Sequence, residues 1–417
     1  MSKRHQSRTG DLQSVFVRLE ELVLANSGQD EFQEIYKLTI AKIYDERFST
    51  TSLFKHERDG EKTFAAIVSL LRKAEAKWPG VLPLLPEPKL TPDHLAICVV
   101  ELQRHRLLDE GLQALDEFFE FIVSKTAKGN KGQYFTPRHL VEMCVRMIDP
   151  KPDEVIADPA CGSGGFLMNA LRHVRAKKGS EKAQPKLWGF DIDERAVQIA
   201  RSLMIIAGIN EPKVFRLNSL VSEGRQDFFT DGDELLTIEK VTRARARETG
   251  IFDVILTNPP FAGEIQQRNI IDSFDLGRSR NKVERDVLFL ERCVRLLKPG
   301  GRMAIVLPHN KLSSSVFTDV RHWVLRQCHL LGVVGVGRNM FMPHTQQKTG
   351  IVLLRKKTKP NEKSPAVFFG MSENDGKDSR GIHILRKGQE DNAPLWARLD
   401  HDLDTIVDAY HEQAGRW

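Results

Sequence analysis

Residues 257–263, TNPPFAG, combine groups that could do chemistry within one rigid turn. They follow the strand-like run FDVIL, and the strand has to end there because two consecutive prolines cannot donate to a sheet ladder. The turn then presents the amide side chain of Asn258, carbonyl groups without competing N–H groups, and the ring of Phe261. A turn without any chemical role is the alternative that these residues alone leave open.

The glycine-rich run VIADPACGSGGFL is a second candidate. Its apolar strand ends at Asp158, and Gly162, Gly164 and Gly165 let the backbone approach a ligand, because a Cβ atom would block that approach. The nicotinamide fingerprint is excluded, since its third glycine would fall at Leu167, and a P-loop lysine is absent. The aspartate would repel phosphates and favour a cationic ligand such as S-adenosylmethionine (SAM), which carries a sulfonium and an ammonium group. The alternative is a structural glycine turn with a helix-capping aspartate.

Two further strand-like runs end in polar residues. GFDID places Asp191 where it would accept hydrogen bonds from the ribose hydroxyl groups of an adenosyl ligand, whereas Asp193 fits a helix cap. KVFRLN ends at Asn218, whose amide could contact the adenine edge or equally well stabilise a turn.

The elements that must position these residues alternate between short strands and helices over residues 150–357. DEVIADPA, KLWGFDI, FDVILT, RMAIVLP, LLGVVGV and KTGIVLLRK have the character of strands, and RDVLFLERCVRLL that of a helix. This alternation predicts an α/β fold with a doubly wound, Rossmann-like sheet that binds ligands at the carboxyl ends of its strands.

The preceding part of the chain has a helical pattern. FQEIYKLTIAKIYDERF carries apolar side chains at three- and four-residue spacing, which predicts an amphipathic helix: Phe32, Ile35, Tyr36, Ile40, Ile43 and Tyr44. We therefore expect an all-helical N-terminal domain at 1–125, the α/β domain at 126–360 and a C-terminal extension at 361–417. The extension is expected to end in an amphipathic helix, with Leu403, Ile406, Val407 and Tyr410 on its apolar side.

Composition restricts the class of protein. A chain of 417 residues with 41% hydrophobic and 28% charged residues is typical of a soluble protein with two or three domains. It shows no secretory signal and no apolar run long enough to span a membrane, so a cytoplasmic location is expected. Five cysteines without a CxxC pair predict reduced, buried thiols and neither disulfides nor a metal site. A net charge of +6 permits an anionic partner such as nucleic acid without requiring one.

Four motifs in order, GNKGQYFTPRHLV, DPACGSGGFL, GFDID and TNPPF, resemble the N6-adenine DNA methyltransferases. They most closely resemble the modification subunits of type I restriction-modification systems, over nearly the whole chain. The resemblance implies a SAM-dependent methyltransferase fold, SAM as the methyl donor, and a flipped-out adenine of double-stranded DNA as the acceptor. It also implies a separate DNA specificity subunit and, in a complete system, a restriction subunit as partners.

Carried over by position, the resemblance implies two groups of site residues. The cofactor-binding group comprises Gln133, Tyr134, Phe135, Thr136, Pro137 and Arg138 at the methionine end of SAM, Asp158, Gly162, Ser163, Gly164 and Gly165 in the turn, Asp191 at the ribose and Asn218 at the adenine. The catalytic group is the tetrad Asn258, Pro259, Pro260 and Phe261. Cys161 lies where similar proteins carry small residues, and we interpret it as a core residue.

The tetrad would serve this chemistry directly. The adenine amino nitrogen is a poor nucleophile, because its lone pair is delocalised into the ring. The Asn258 side-chain oxygen and the Pro259 carbonyl could accept both amino hydrogens and localise that lone pair, and the prolines would preorganise these acceptors. Phe261 would stack against an extruded base. Methylation at cytosine C5 would require a cysteine after proline, and the chain has no Pro-Cys pair.

The sequence is less informative about DNA contacts than about the cofactor-binding and catalytic residues. Two basic runs could neutralise phosphates or form solvated surface: KVTRARAR, with Lys240, Arg243, Arg245 and Arg247, and FDLGRSRNK, with Arg278, Arg280 and Lys282. The short segment after Lys357 leaves little room for a sequence-reading domain, which fits specificity supplied by another subunit.

Two other functions remain open. The Asn-Pro-Pro-aromatic motif also serves methylation of ribosomal RNA guanine or of release-factor glutamine, and the helical N-terminal block and GQYFTPRHLV argue against this. The second is a non-catalytic SAM-binding subunit, against which the intact tetrad and glycine turn argue.

Overall fold

The computed structural model describes residues 9–21, 27–82, 87–109, 115, 117–119, 121–122, 135–180, 183–221, 237–242, 250–261, 263–278, 280–388 and 395–414. The chain forms two compact units, one of residues 1–131 with 201–212 and the other of residues 132–200 with 213–417.

The first unit is helical, as the sequence predicts. Its helices are α1 (Thr9–Leu19), α2 (Glu31–Phe48), α3 (Gly60–Lys77) and α4 (Pro92–Leu102). Each of the last three begins at a residue that is well suited to capping, since the side chains of Asp30, Asp59 and Thr91 accept hydrogen bonds from backbone N–H groups in the first turn.

Helix α2 differs from its prediction. Its apolar stripe is buried except for the half-buried Tyr44, but Glu34, Lys37, Lys42 and Asp45 are buried as well. The charges are satisfied locally, because Lys37 Nζ lies 2.8 Å from Glu34 Oε1 and the Asp45 carboxylate accepts the backbone N–H of Phe54 at 3.0 Å. The helix is therefore buried beyond its apolar stripe, which the amphipathic pattern alone did not predict.

The second unit contains a sheet of eight strands. They are β1 (Val155–Asp158), β2 (Lys186–Asp191), β3 (Lys213–Arg216), β4 (Phe252–Thr257), β7 (Leu297–Pro308), β8 (Cys328–Gly335), β9 (Thr349–Lys356) and β10 (Phe368–Met371), in the spatial order β10-β8-β9-β7-β4-β1-β2-β3. A separate antiparallel pair is formed by β5 (Glu264–Ile265) and β6 (Val283–Glu284).

The strand order reverses between β1 and β4. The chain places β2 and β3 on one side of β1 and returns to place β4 on the other, and all four strands are parallel. Doubly wound sheets bind their ligands at such a switch point, beyond the carboxyl ends of the strands. Strand β9 is antiparallel to both β7 and β8, a feature that the sequence pattern did not predict.

The helices of this unit are α5 (Arg138–Ile148), α6 (Gly165–Lys178), α7 (Glu194–Ile206, shared with the first unit), α8 (Ile238–Thr242), α9 (Arg268–Ile271), α10 (Arg285–Leu296), α11 (His309–Ser313), α12 (Thr318–Gln327) and α13 (Leu403–Ala414). Helix α13 packs against α5 and β10 and buries the four apolar residues expected of it. In the described part of the chain, no helix combines the length and the apolar character needed to cross a bilayer.

Candidate active site

The two sequence-predicted motifs meet at the carboxyl ends of β1 and β4. These strands are hydrogen-bonded neighbours, so the glycine turn that follows β1 lies beside the TNPPF turn that follows β4. A hydrogen bond links the strand ends directly, since the fully buried Thr257 donates to Asp158 Oδ1 at 2.6 Å. Thr257 is a residue whose role the sequence reasoning missed, although it precedes the tetrad.

Asn258 is held by a residue from another predicted motif. Its Nδ2 atom donates to Thr136 Oγ1 at 2.9 Å, which joins the FTPR segment to the tetrad. Its Oδ1 atom is buried and accepts no hydrogen bond within the described structure. Buried acceptors are nearly always satisfied, so an unused one at a strand end is suited to a ligand that donates an N–H group.

The rest of the tetrad forms a stiff, partly buried surface. Pro259 is buried, and Pro260 and Phe261 are half-buried. The Phe261 ring meets the ring of Phe341 edge to face, with centroids 5.5 Å apart. Phe341 is almost fully buried and lies eighty positions along the chain, so no local pattern could have identified it as the support of Phe261.

The glycine turn leaves open space where a ligand could lie. Gly162 and Gly164 have φ angles of +51° and +89°, a region that favours glycine. A Cβ atom added at Gly162 or Gly165 would meet no heavy atom of the described residues within 4 Å, whereas one at Gly164 would lie 3.2 Å from Ala200 Cβ. Gly164 is thus required for close packing of the turn against α7, and the other two glycines border the open space.

Two carboxylates stand at this turn with different surroundings. Asp191 Oδ2 accepts the backbone N–H of Gly162 at 2.8 Å, and its Oδ1 accepts that of Asp193 at 2.9 Å. Burial raises the pKa of Asp191, while these backbone donors lower it. Burial also raises the pKa of Asp158, to about 7, against the opposing effect of the Thr257 hydroxyl. Asp158 therefore links strand ends, and Asp191 braces the turn.

The remaining predicted site residues have simpler surroundings. Asn218 Oδ1 accepts the backbone N–H of Leu220 at 3.1 Å, which is the turn contact that the sequence allowed. Ser163 is buried, and Phe135, Thr136, Pro137 and Arg138 are half-buried at the start of α5. Gln133 and Tyr134 lie outside the described residues.

All five cysteines are free and buried, as expected. Burial raises the pKa of Cys161 well above its ordinary value, and the nearby carboxylates of Asp191 and Asp158 raise it further. A thiol in this state is neutral and a poor nucleophile. Cys161 is a core residue, and the described residues contain no cluster that could hold a metal ion.

The basic runs are only partly described. Arg278, Arg280 and Lys282 each form an ion pair, with Asp275, Asp319 and Glu264 respectively. Lys240 lies on α8, and Arg243, Arg245 and Arg247 lie outside the described residues.

This arrangement fits SAM, the methyl donor that the sequence resemblance implies. The open space at Gly162 and Gly165 borders the Asp191 carboxylate, which keeps further acceptor capacity beyond its two backbone donors. The unused Asn258 oxygen lies at the end of the strand next to that turn. An adenosyl cofactor beside a nucleophile that donates N–H groups would use both features.

Comparison with known proteins agrees with this geometry. The chain is 28% identical over 247 residues to the type I restriction enzyme EcoEI methylase subunit of Escherichia coli, covering 58% of this chain and 46% of that subunit. It is 23% identical over 388 residues to the MpnII methylase subunit of Mycoplasma pneumoniae, covering 89% and 67% of the two chains. The chain spans about half the length of several of the curated relatives that it matches.

Solved structures share the fold. A type I restriction-modification methyltransferase subunit from Streptococcus thermophilus superposes with a TM-score of 0.66 at 16% identity, over 98% of this chain and 94% of that one. A modification subunit of a type I restriction enzyme from Vibrio vulnificus gives 0.63 at 17% identity, over 88% and 87%. The fold is therefore that of a SAM-dependent methyltransferase, an α/β doubly wound sheet preceded by a helical region. Residues 112–412, well over half of the chain, match the N-6 DNA Methylase family, and the protein is a member of that family.

Proposed function

We propose that the protein is a site-specific DNA methyltransferase that transfers a methyl group from SAM to N6 of a flipped-out adenine. We further propose that it is the modification subunit of a type I restriction-modification system and acts in the cytoplasm. One observation carries the chemistry: the buried Asn258 oxygen has no hydrogen-bond donor within the described structure, while its amide nitrogen is already engaged by Thr136.

The chain's own groups account for the activation of the amino group. Asn258 Oδ1 accepts one hydrogen of the adenine amino group, and the Pro259 carbonyl accepts the other. Both bonds localise the nitrogen lone pair, and neither acceptor has to reorganise, because Thr136 and two prolines hold them. SAM, when bound, supplies the electrophilic methyl group. Transfer would be direct: the nitrogen–carbon bond would form as the methyl–sulfur bond breaks, and the amino nitrogen would release one proton. The neutral, buried thiols exclude a cysteine nucleophile.

The proposed site residues divide between the two ligands. Phe261, braced by Phe341, stacks against the extruded base. SAM is held by the proposed cofactor-binding group, with Asp191 at the ribose and the glycine turn against the cofactor. We propose three domains, at 1–125, 126–360 and 361–417, and the central one is the catalytic domain.

Sequence specificity is proposed to come from a partner. The relatives that support this proposal are named as methylase subunits of type I restriction enzymes, which implies other subunits. We expect a DNA specificity subunit and, in a complete system, a restriction subunit, with double-stranded DNA as the substrate.

The test is methyl transfer from labelled SAM to mixed-sequence duplex DNA, with the modified nucleosides identified by mass spectrometry. The chain is assayed alone and with the specificity subunit encoded beside its gene. N6-methyladenine supports the proposal, and its appearance only with the partner supports borrowed specificity. Label in RNA or protein but not in DNA overturns it.

A variant pair tests the tetrad. Asn258→Ala is expected to abolish methylation while SAM binding, measured by calorimetry, stays within about threefold, because the amide acts on the acceptor base. Asn310→Ala removes an exposed amide at the start of α11 and is the matched control, with unchanged methylation expected. Undiminished methylation by the Asn258 variant would remove the basis of the assignment.

A further inference from the structure

Arg285 lies directly against the turn that carries the tetrad. It is the first residue of α10, and its backbone N–H donates to the carbonyl of Gly263 at 3.0 Å. A Cβ atom added at Gly263 would come within 2.9 Å of Arg285 Nη2 and 3.2 Å of its Cζ. The guanidinium therefore covers the backbone two positions after Phe261.

Three carboxylates on or beside the β5–β6 pair, those of Glu264, Glu284 and Asp286, form ion pairs with two lysines. Glu264 and Glu284 face each other across β5 and β6. Lys282 Nζ lies 3.0 Å from Glu264 Oε1. Lys311 Nζ lies 3.2 Å from Glu284 Oε2 and 3.4 Å from Asp286 Oδ2.

The Arg285 guanidinium lies outside ion-pair distance of all three carboxylates. Its side chain is partly exposed, and it forms no hydrogen bond or ion pair with any residue that the structure describes. Within the described structure, the guanidinium is therefore available to an anionic ligand.

We propose that Arg285 binds a phosphate of the DNA strand that carries the extruded adenine. The inference rests on the proposed function, because it places the base against Phe261. Extrusion rotates the nucleotide about its backbone, so the adjoining phosphates have to be held while the base occupies the site. A guanidinium beside the turn can hold a phosphate through two parallel N–H bonds.

This assignment differs from what the sequence indicates. The basic run with Arg278, Arg280 and Lys282 has the higher density of charge, but each of these side chains is neutralised by a carboxylate. Arg285 follows the run and has no such partner within the described structure. Charge pairing in the fold, rather than charge density in the sequence, identifies the phosphate-binding residue.

The experiment measures the affinity of the full chain for a fluorescein-labelled, mixed-sequence duplex at 50, 100 and 200 mM KCl. The variants are Arg285→Gln, Arg285→Lys and Lys282→Gln, and the last has the same change in net charge on the same hairpin. Arg285→Gln is expected to bind about tenfold more weakly at low salt. The slope of the logarithm of its association constant against the logarithm of the KCl concentration should be smaller in magnitude by about 0.9. Between 50 and 200 mM KCl, the affinity of the wild type should therefore fall about 3.5-fold more than that of the variant.

The two charge controls sharpen the result. Arg285→Lys keeps the charge and should retain the wild-type slope with weaker binding, since lysine cannot form the two-pronged contact. Lys282→Gln should bind DNA more tightly than Arg285→Gln, because Lys282 is already paired with Glu264. Equal losses in Lys282→Gln and Arg285→Gln would show an effect of net charge and overturn the proposal.

Failure of this inference is distinguishable from failure of the proposed function. Wild-type production of N6-methyladenine, together with unchanged DNA affinity in Arg285→Gln, overturns the role of Arg285 and leaves the function standing. Absence of both N6-methyladenine and salt-dependent DNA binding in the wild type overturns both. SAM affinity and melting temperature of Arg285→Gln should match the wild type, because the side chain has no polar partner to lose.

Discussion

The hydrogen bond between Asn258 and Thr136 can be removed with little change in shape. Thr136→Val replaces the hydroxyl group with a methyl group and leaves Asn258 Nδ2 without its acceptor at 2.9 Å. The amide is then free to rotate, and its oxygen is no longer held where the substrate amino group would donate. We expect methylation to slow by more than any loss of SAM affinity accounts for, because the contact orients an acceptor for the base.

The magnitude follows from the geometry. A neutral hydrogen bond of this length contributes about 1 kcal/mol, and leaving a buried donor unsatisfied raises the cost to about 3 kcal/mol. If the whole cost falls on the transition state, the rate of transfer decreases between about 5-fold and about 150-fold. Thr136→Ser keeps the hydroxyl group and should remain near the wild-type rate.

Single-turnover methylation with labelled SAM and saturating DNA isolates the chemical step, and calorimetry gives the SAM affinity separately. A rate for Thr136→Val within twofold of the wild type would refute the orienting role. Weaker SAM binding with an unchanged rate would assign Thr136 to the cofactor alone, as the family resemblance implies. An equal loss of rate in Thr136→Ser would show that the methyl group, and not the hydroxyl group, matters.

Four further variants test other parts of the structure. Because the pKa of Asp158 is raised to about 7 in the folded protein, this group lowers the free energy of unfolding as pH rises from about 4 to 7. Asp158→Asn should therefore reduce the fall in melting temperature over this pH range. An unchanged pH dependence of the melting temperature would contradict the assignment. Gly164→Ala should destabilise the fold by about 1–3 kcal/mol in urea titrations, whereas Gly165→Ala should weaken SAM binding with stability retained. Arg302→Met removes a two-pronged contact with Glu154 and should lower the free energy of unfolding by about 2–4 kcal/mol, with unchanged SAM affinity. A variant as stable as the wild type would refute the stabilising role of this ion pair.

The strands that carry the site could be predicted because each has a simple signature. Val155–Asp158, Lys186–Asp191 and Phe252–Thr257 are short apolar runs that end at a polar residue, and all three are observed with nearly those bounds. The glycine turn was recognisable because close approach and positive φ both require glycine, and Gly162 and Gly164 meet this requirement.

The direction of β9 and the small hairpin could not be predicted in the same way. KTGIVLLRK is buried on both faces, so its pattern is identical for a parallel and an antiparallel strand. Strands β5 and β6 have two residues each, too few for any periodicity.

The contacts that complete the site are tertiary. Phe341 supports Phe261 across eighty positions, and Thr136 reaches Asn258 across 122. Arg285 is distinguished from its basic neighbours only by ion pairs, and one of these uses Lys311 from another element. Sequence reasoning named Thr136 through the family resemblance and had no signal for Phe341 or Arg285.

Every cysteine is buried, so the reactivity of the thiols can be used to measure local unfolding. Cys98 lies in the helical unit, and Cys144, Cys161, Cys293 and Cys328 lie in the α/β unit. A thiol reagent can reach each sulfur only when the surrounding structure opens, so the rate of modification at each position reports local unfolding. Mass spectrometry of labelled peptides would show whether the two units open together or separately. Because the native thiols are inaccessible in the folded protein, a single cysteine introduced at the surface would be labelled selectively with a dye. No native cysteine would have to be replaced.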